Sequence, residues 1–144
     1  AYLLRPKADT RWLGFKEVRY EIGHFADADG LTDYLLFLNA LLPGVRYVIN
    51  VRDPQTAARS GWWREHPDAV SALERTVEHL GAAADTLTDV LGPGRVALTE
   101  YEQWSADPSA LVSALTSIGF PVQQALLRES LATHLEHGQN SERR

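Results

Sequence analysis

The sequence predicts an α/β domain, with helices layered on a short parallel sheet. Three observations predict it. Short runs rich in β-branched residues alternate with longer runs of helical period, in the order strand, helix, strand, helices, strand, helices. The run Val45 to Val51 is apolar on both faces, as a strand covered on both sides would be. The length of 144 residues suits one domain, read as 1–144, large enough to bury a core without staples.

Each element follows from its local pattern. Trp12 to Tyr20 reads as a first strand, with Leu13, Phe15 and Val18 as its apolar members, followed by a loop holding Asp27, Asp29 and Gly30. Leu31, Tyr34, Leu35, Leu38, Leu41 and Leu42 recur at steps of three and four, one face of a helix that Pro43-Gly44 stops. Val45 to Val51 is the second strand. Asp53-Pro54 opens a helix predicted to run to about Trp63: Asp53 can cap, and Pro54 lacks only an N–H that would be unpaired there. His66-Pro67 begins a long amphipathic helix through Val70, Leu73, Val77, Leu80, Ala84, Leu87 and Leu91, ended by Gly92-Pro93-Gly94. Arg95 to Thr99 is the third strand. Asp107-Pro108 starts a helix with Leu111, Leu115 and Ile118 inward, and Leu126, Leu127, Leu131 and Leu135 mark a last one. Three strands are few for a parallel sheet, so a further strand is expected beside them, outside the chain. An open edge of this kind would allow self-association.

Composition narrows the function. The chain is 44% hydrophobic and 23% charged, ordinary globular material. A net charge of -5 argues against a nucleic-acid surface, which needs a basic stripe, so any anion site must be local. No apolar run reaches the length of a membrane span. Without Cys there is neither a disulfide framework nor a thiolate metal site, and a cytoplasmic location is the expectation. The five His residues form no ligand set, and His134 with His137 reads as a surface pair, so no metal is assigned. Met is absent, so Ala1 is not an initiator; either processing or a missing N-terminal segment would account for it.

The chemistry concentrates in PGVRYVINVRDPQTAARSGWW, residues 43–63. Arg52 stands at the carboxyl end of a buried strand, where ligands of open α/β sheets bind. A helix opening at Asp53-Pro54 would aim its free N–H groups at the same place. On such a helix Asp53, Thr56, Ser60 and Trp63 share a face, so Ser60 could add a hydroxyl to an anion held by Arg52. A solvated Arg52-Asp53 pair with Ser60 on a neutral helix surface is the other reading of the same residues.

The pattern of Pro43, Arg46, Tyr47, Val48, Ile49, Arg52, Asp53 and Pro54, with Ser60 eight residues after the arginine, resembles the 3′-phosphate-binding segment of sulfotransferases. These enzymes transfer sulfate from 3′-phosphoadenosine 5′-phosphosulfate. The resemblance implies that Arg52 and Ser60 bind the 3′-phosphate of that co-substrate, and Trp62-Trp63 falls where the family often has aromatics. It also implies a P-loop-like three-layer α/β/α fold, present in part. A second stretch, Gly14-Phe15-Lys16-Glu17-Val18-Arg19-Tyr20, is similar to the Gly-x-Lys-Glu-x-Arg strand of bacterial and carbohydrate sulfotransferases. Sulfuryl transfer needs a base for the acceptor hydroxyl and cations for the charge that builds on oxygen. Glu17 is the candidate base and Lys16 the candidate charge stabiliser. Adjacent strand residues face opposite ways, so both serve one site only where the strand ends or twists. Otherwise Lys16, Glu17 and Arg19 lace a solvated edge strand.

A third stretch, Val96 to Glu102 followed by Asp107-Pro108, resembles the family's strand ending in Tyr-Glu-Asp. There the tyrosine can approach adenine, which makes Tyr101 a nucleotide-binding candidate; the alternative is that Tyr101 packs and Glu102 caps a helix. The matches span about Gly14 to Phe120. The family's Gly/Ser/Thr-rich loop for the 5′-phosphosulfate has no counterpart before Trp12, and its basic Gly-rich C-terminal loop is not evident. The expectation is a sulfotransferase domain, incomplete at its N-terminus, acting on a small-molecule or carbohydrate hydroxyl. The alternative is a non-catalytic nucleotide- or partner-binding module on the same fold. A P-loop kinase is disfavoured because Gly-x-x-x-x-Gly-Lys-Ser/Thr is lacking.

Overall fold

The computed structural model describes residues 9–14, 16, 25 and 27–130, and of Trp62 only the backbone. Its elements run α1 (Ala28–Leu41), β1 (Tyr47–Val51), α2 (Pro54–Ala57), a 3₁₀ turn (Gly61–Glu65), α3 (Ala69–Leu91), β2 (Val96–Glu100), α4 (Tyr101–Ala106) and α5 (Pro108–Ser117). Residues 124–130 are helical as well. The result is a mixed α/β chain, mostly helical, with a two-stranded parallel sheet packed against helices.

The described sheet therefore has two strands rather than three. Of the predicted first strand, Trp12, Leu13, Gly14 and Lys16 pair with nothing, and the rest lies outside the described residues. Trp12 is held instead by side chains: its ring meets Phe120 edge-on at 5.1 Å, and the Arg46 guanidinium lies 5.2 Å from its centre. An aromatic face attracts a cation through its quadrupole, so Trp12 docks without a ladder.

The core lies between one face of the sheet and helices α1 and α3. Leu31 and Leu35 from α1, Tyr47 and Ile49 from β1, Ala83, Ala84 and Leu87 from α3, and Val96 from β2 are buried together. Alternate strand residues point to opposite faces, so Tyr47 and Ile49 share this side. The small pair Ala83-Ala84 lets α3 come close. Tyr47 adds a polar tie: its buried hydroxyl donates to the Leu35 carbonyl at 2.6 Å, and burial raises its pKa.

The prediction that both faces of β1 are covered does not hold among the described residues. Val48 is 45% exposed, and Leu98 of β2 is 46% exposed. Helices α4 and α5 lie against β2, where Ala97 and Thr99 are buried, but no comparable cover reaches Val48.

Helices α1, α2 and α5 start on side-chain caps. Asp27 accepts from Gly30 N–H, so α1 begins at Ala28, and Asp29 and Gly30 are helical rather than loop. Asp107 accepts from the backbone of Ser109 at 2.9 Å and from its hydroxyl at 2.5 Å, which opens α5. Of the face predicted for α1, Leu31 and Leu35 are buried, while Leu41 and Leu42, at and just after its C-terminal end, are exposed. Gly92 closes α3 at a φ of 90°, in the left-handed region open to glycine.

Candidate phosphate site

β1 and β2 run parallel with Val51 opposite Glu100, so the chain leaves both strands at the same level. The next residues are Arg52 after β1 and Tyr101 after β2, and they meet. The Arg52 guanidinium carbon lies 4.7 Å from the centre of the Tyr101 ring. The ring supports the cation from one face, and Trp104 supports the ring edge-on at 4.8 Å.

Arg52 also reaches Ser60, whose hydroxyl oxygen accepts from Arg52 Nη1 at 3.4 Å. The route differs from the one predicted. The helix after Asp53-Pro54 stops at Ala57, not near Trp63. Arg59 and Ser60 N–H turn back to the carbonyls of Thr56 and Ala57, the tighter three-residue bond of a closing turn. Ser60 is extended at φ -115°, Gly61 takes φ 55°, and a separate 3₁₀ turn follows. The Ser60 hydroxyl donates to the Ala57 carbonyl at 2.8 Å, a local bond that competes with helix continuation. Arg52 and Ser60 thus meet across a turn, not along a helical face.

This changes the electrostatics. A helix of four residues has too few aligned peptides for a strong dipole. Its first donors are also engaged. Asp53 accepts from Thr56 N–H at 2.7 Å, and Asp53 N–H donates to Glu102 Oε2 at 3.1 Å. Hydrogen bonds from Thr56, hydroxyl first and then backbone, hold the Asp53 carboxyl below its ordinary pKa. The helix end therefore adds little, and the anion-binding capacity rests on Arg52 with Ser60.

Glu102 makes a contact that its reading as a helix cap does not anticipate. It accepts from the N–H of Asp53, the N-cap residue of α2, and sets its other oxygen 3.7 Å from Arg52 Nε. That spacing is an ion pair beyond hydrogen-bond range, and Arg52 Nε is buried without an acceptor among the described residues. The signal in the sequence was position: a carboxylate two residues past a strand parallel to the one that delivers Arg52. Asn50 was passed over as well. Its side-chain oxygen accepts from Trp104 Nε1 at 2.8 Å and Thr99 Oγ1 at 3.0 Å, fixing α4 to the sheet beside the site.

Three of the five predicted site residues, Arg52, Ser60 and Tyr101, are brought together. Lys16 is exposed and forms no hydrogen bond or ion pair among the described residues. Glu17 lies outside the described residues, as do Arg19 and the side chain of Trp62. Trp63 is half-buried against His66, ring centres 5.6 Å apart. Among the described residues no three His, Asp or Glu side chains group as metal ligands, and no helix is long and apolar enough to cross a membrane.

Chemically, the site offers one cation with a flat fork, one hydroxyl and one aromatic face. A guanidinium fork fits two phosphate oxygens at once. The Ser60 proton can turn from the Ala57 carbonyl to a phosphate, because Ser60 N–H also bonds that carbonyl at 3.0 Å and keeps it satisfied. Neither a family model, nor a curated protein, nor a solved structure matches the chain.

Proposed function

We propose that the chain binds the 3′-phosphate of 3′-phosphoadenosine 5′-phosphosulfate and is the nucleotide-holding part of a sulfotransferase with a P-loop-like three-layer α/β/α fold. The acceptor is a hydroxyl, carried by a small molecule or a carbohydrate. One observation carries the reading: Arg52 Nη1 and Ser60 Oγ stand 3.4 Å apart at the carboxyl end of β1. They are the two residues that the sulfotransferase resemblance assigns to one phosphate, and they meet although the predicted helix between them is broken.

In this reading Arg52 takes two phosphate oxygens, Ser60 donates to one of them, and Tyr101 braces the guanidinium and offers its ring to the base. Transfer is in line. The acceptor oxygen bonds to sulfur, the bond from sulfur to the bridging phosphate oxygen breaks, and 3′-phosphoadenosine 5′-phosphate leaves. The acceptor proton goes to Glu17, and Lys16 offsets charge on the sulfuryl and bridging oxygens.

A second reading is a non-catalytic module that binds the nucleotide alone. It is favoured by the convergence of Arg52, Ser60 and Tyr101, whereas Lys16 is exposed and forms no ion pair among the described residues. The coding sequence upstream of Ala1 separates the two. A strand with a Gly/Ser/Thr-rich basic loop there supports transfer. Calorimetry with 3′-phosphoadenosine 5′-phosphate tests the shared premise: the chain binds it, and Arg52→Ala weakens binding. Equal binding by the two proteins overturns the site.

A further inference from the structure

The phosphate clamp already carries an anion of its own. Glu102 Oε1 lies 3.7 Å from Arg52 Nε, and Glu102 Oε2 is tied to Asp53 N–H at 3.1 Å. The carboxylate is thereby anchored to the backbone beside the cation, rather than free to swing into water. Its partners differ from those a phosphate would use. Ser60 stands at Nη1, at the other end of the guanidinium from Nε. A phosphate on Nη1 and Ser60 would therefore share the cation with Glu102, not replace it at Nε.

We propose that Glu102 is the resident counter-anion of this site and sets how tightly it holds a phosphate. The inference rests on the phosphate-binding reading of Arg52 and Ser60 and adds a residue read from its pattern only as a helix cap. Two unit charges of opposite sign, Arg52 and Glu102, leave the clamp near neutrality. A phosphate dianion must be held by the guanidinium against the field of a fixed carboxylate. Glu102 thus lowers affinity and favours release, which suits a site that must let a nucleotide go. It acts through charge, so an uncharged side chain of the same shape removes the effect. The Gln side-chain oxygen can still accept from Asp53 N–H, so Glu102→Gln preserves the backbone tie. Near the surface, a unit charge a few ångströms from a dianion weakens its binding roughly three- to tenfold.

The test is calorimetry with 3′-phosphoadenosine 5′-phosphate at low ionic strength, on the full chain, on three carboxylate variants and on Arg52→Ala. Glu102→Gln is expected to bind roughly three- to tenfold tighter, with a gain that shrinks as salt is added. Glu102→Asp keeps the charge and is expected to show no gain. Glu100→Gln is the control for net charge, because Glu100 holds Gln103 Nε2 at 2.6 Å and makes no ion pair with Arg52. If Glu102→Gln binds no tighter while Arg52→Ala still loses affinity, the counter-anion role is wrong and the phosphate reading stands. An equal gain in Glu100→Gln also overturns it, since net charge alone would then suffice. Should Glu102→Gln fail to fold, the Glu102→Ala variant reads the same sign of change. If neither the wild-type chain nor any Glu102 variant binds, both readings fall.

Discussion

Replacing Arg52 with alanine removes most of the site's affinity if the assignment is right, and the size of the loss follows from the side chain's setting. The Arg52 side chain is about one-third exposed, at 35%, with a tyrosine ring 4.7 Å from the guanidinium carbon and a hydroxyl 3.4 Å from Nη1. A hydrogen bond to a charged group is worth about 1.5–3 kcal/mol, and partial solvent access places this one in the lower half of that range. The expected loss is about 2 kcal/mol, or roughly thirtyfold in Kd. Arg52→Lys retains the charge but loses the fork and the flat contact with Tyr101, so it should recover only part of the loss. The assay is calorimetric titration with 3′-phosphoadenosine 5′-phosphate, with circular dichroism to establish that each variant is folded. Binding by Arg52→Ala within twofold of wild type, or full recovery by Arg52→Lys, would refute the argument from the fork.

The remaining predictions concern what holds the site in place. Leu87 is wholly buried between α3 and the sheet, so Leu87→Ala should cost about 2–4 kcal/mol in urea unfolding. Tyr47→Phe removes the buried bond to the Leu35 carbonyl and should cost about 1 kcal/mol by the same measurement. Because the Tyr47 pKa is raised above its ordinary 10.0, the folded state disfavours the phenolate. Wild-type stability should therefore fall as pH rises above about 10 through the folded-state pKa, and Tyr47→Phe should flatten that fall. Gly119 has φ 72°, and a Cβ there would lie 2.6 Å from Arg46 Nη1. Gly119→Ala should destabilise the chain by about 1 kcal/mol in urea unfolding, chiefly through the backbone, since the Arg46 side chain can move.

What the sequence made legible was local, and what it missed was mostly a matter of facing. Asp53 and Asp107 cap helices before a proline, as the sequence predicts, whereas Asp27, read only as a loop residue, caps α1. Periodicity placed α3, and the β-branched run placed β1. The same run could not say whether Val48 is covered, because apolar character on both faces states a requirement and names no neighbour. The helix after Pro54 was overextended for a local reason. Spacing of three and four among Asp53, Thr56, Ser60 and Trp63 fits a helix, but the Ser60 hydroxyl bonds the Ala57 carbonyl and Gly61 adopts a left-handed turn. The contact between Arg52 and Ser60 was legible through the sulfotransferase resemblance, which pairs an arginine with a serine eight residues on, and not through the helix predicted between them. Glu102 was not legible, because its partners are 49 and 50 positions away in the chain, on another strand's end.

Strand register is what turns these separate residues into a site. The sheet pairs Ile49 with Leu98, Asn50 with Thr99 and Val51 with Glu100, so Arg52 and Tyr101 leave the ladder side by side. Shifting β2 by one residue would reverse the face of every side chain on it, taking Val96 out of the core with Tyr47 and Ile49 and moving Tyr101 from beneath Arg52. The buried Thr99 hydroxyl resists that slip. Its one proton is shared between the Ile49 carbonyl at 3.3 Å and Asn50 Oδ1 at 3.0 Å, contacts that a shifted register would break. At the opposite end Arg95 donates to the Val45 carbonyl and to Asn39, both at 2.7 Å, fastening the start of β2 to the start of β1 and to α1. Polar bonds thus pin the pair from both ends, and they do so in a sheet too narrow for apolar burial alone to fix alignment. The proposed phosphate clamp depends on that alignment: an arginine from one strand end is braced by a tyrosine, and opposed by a glutamate, from the other.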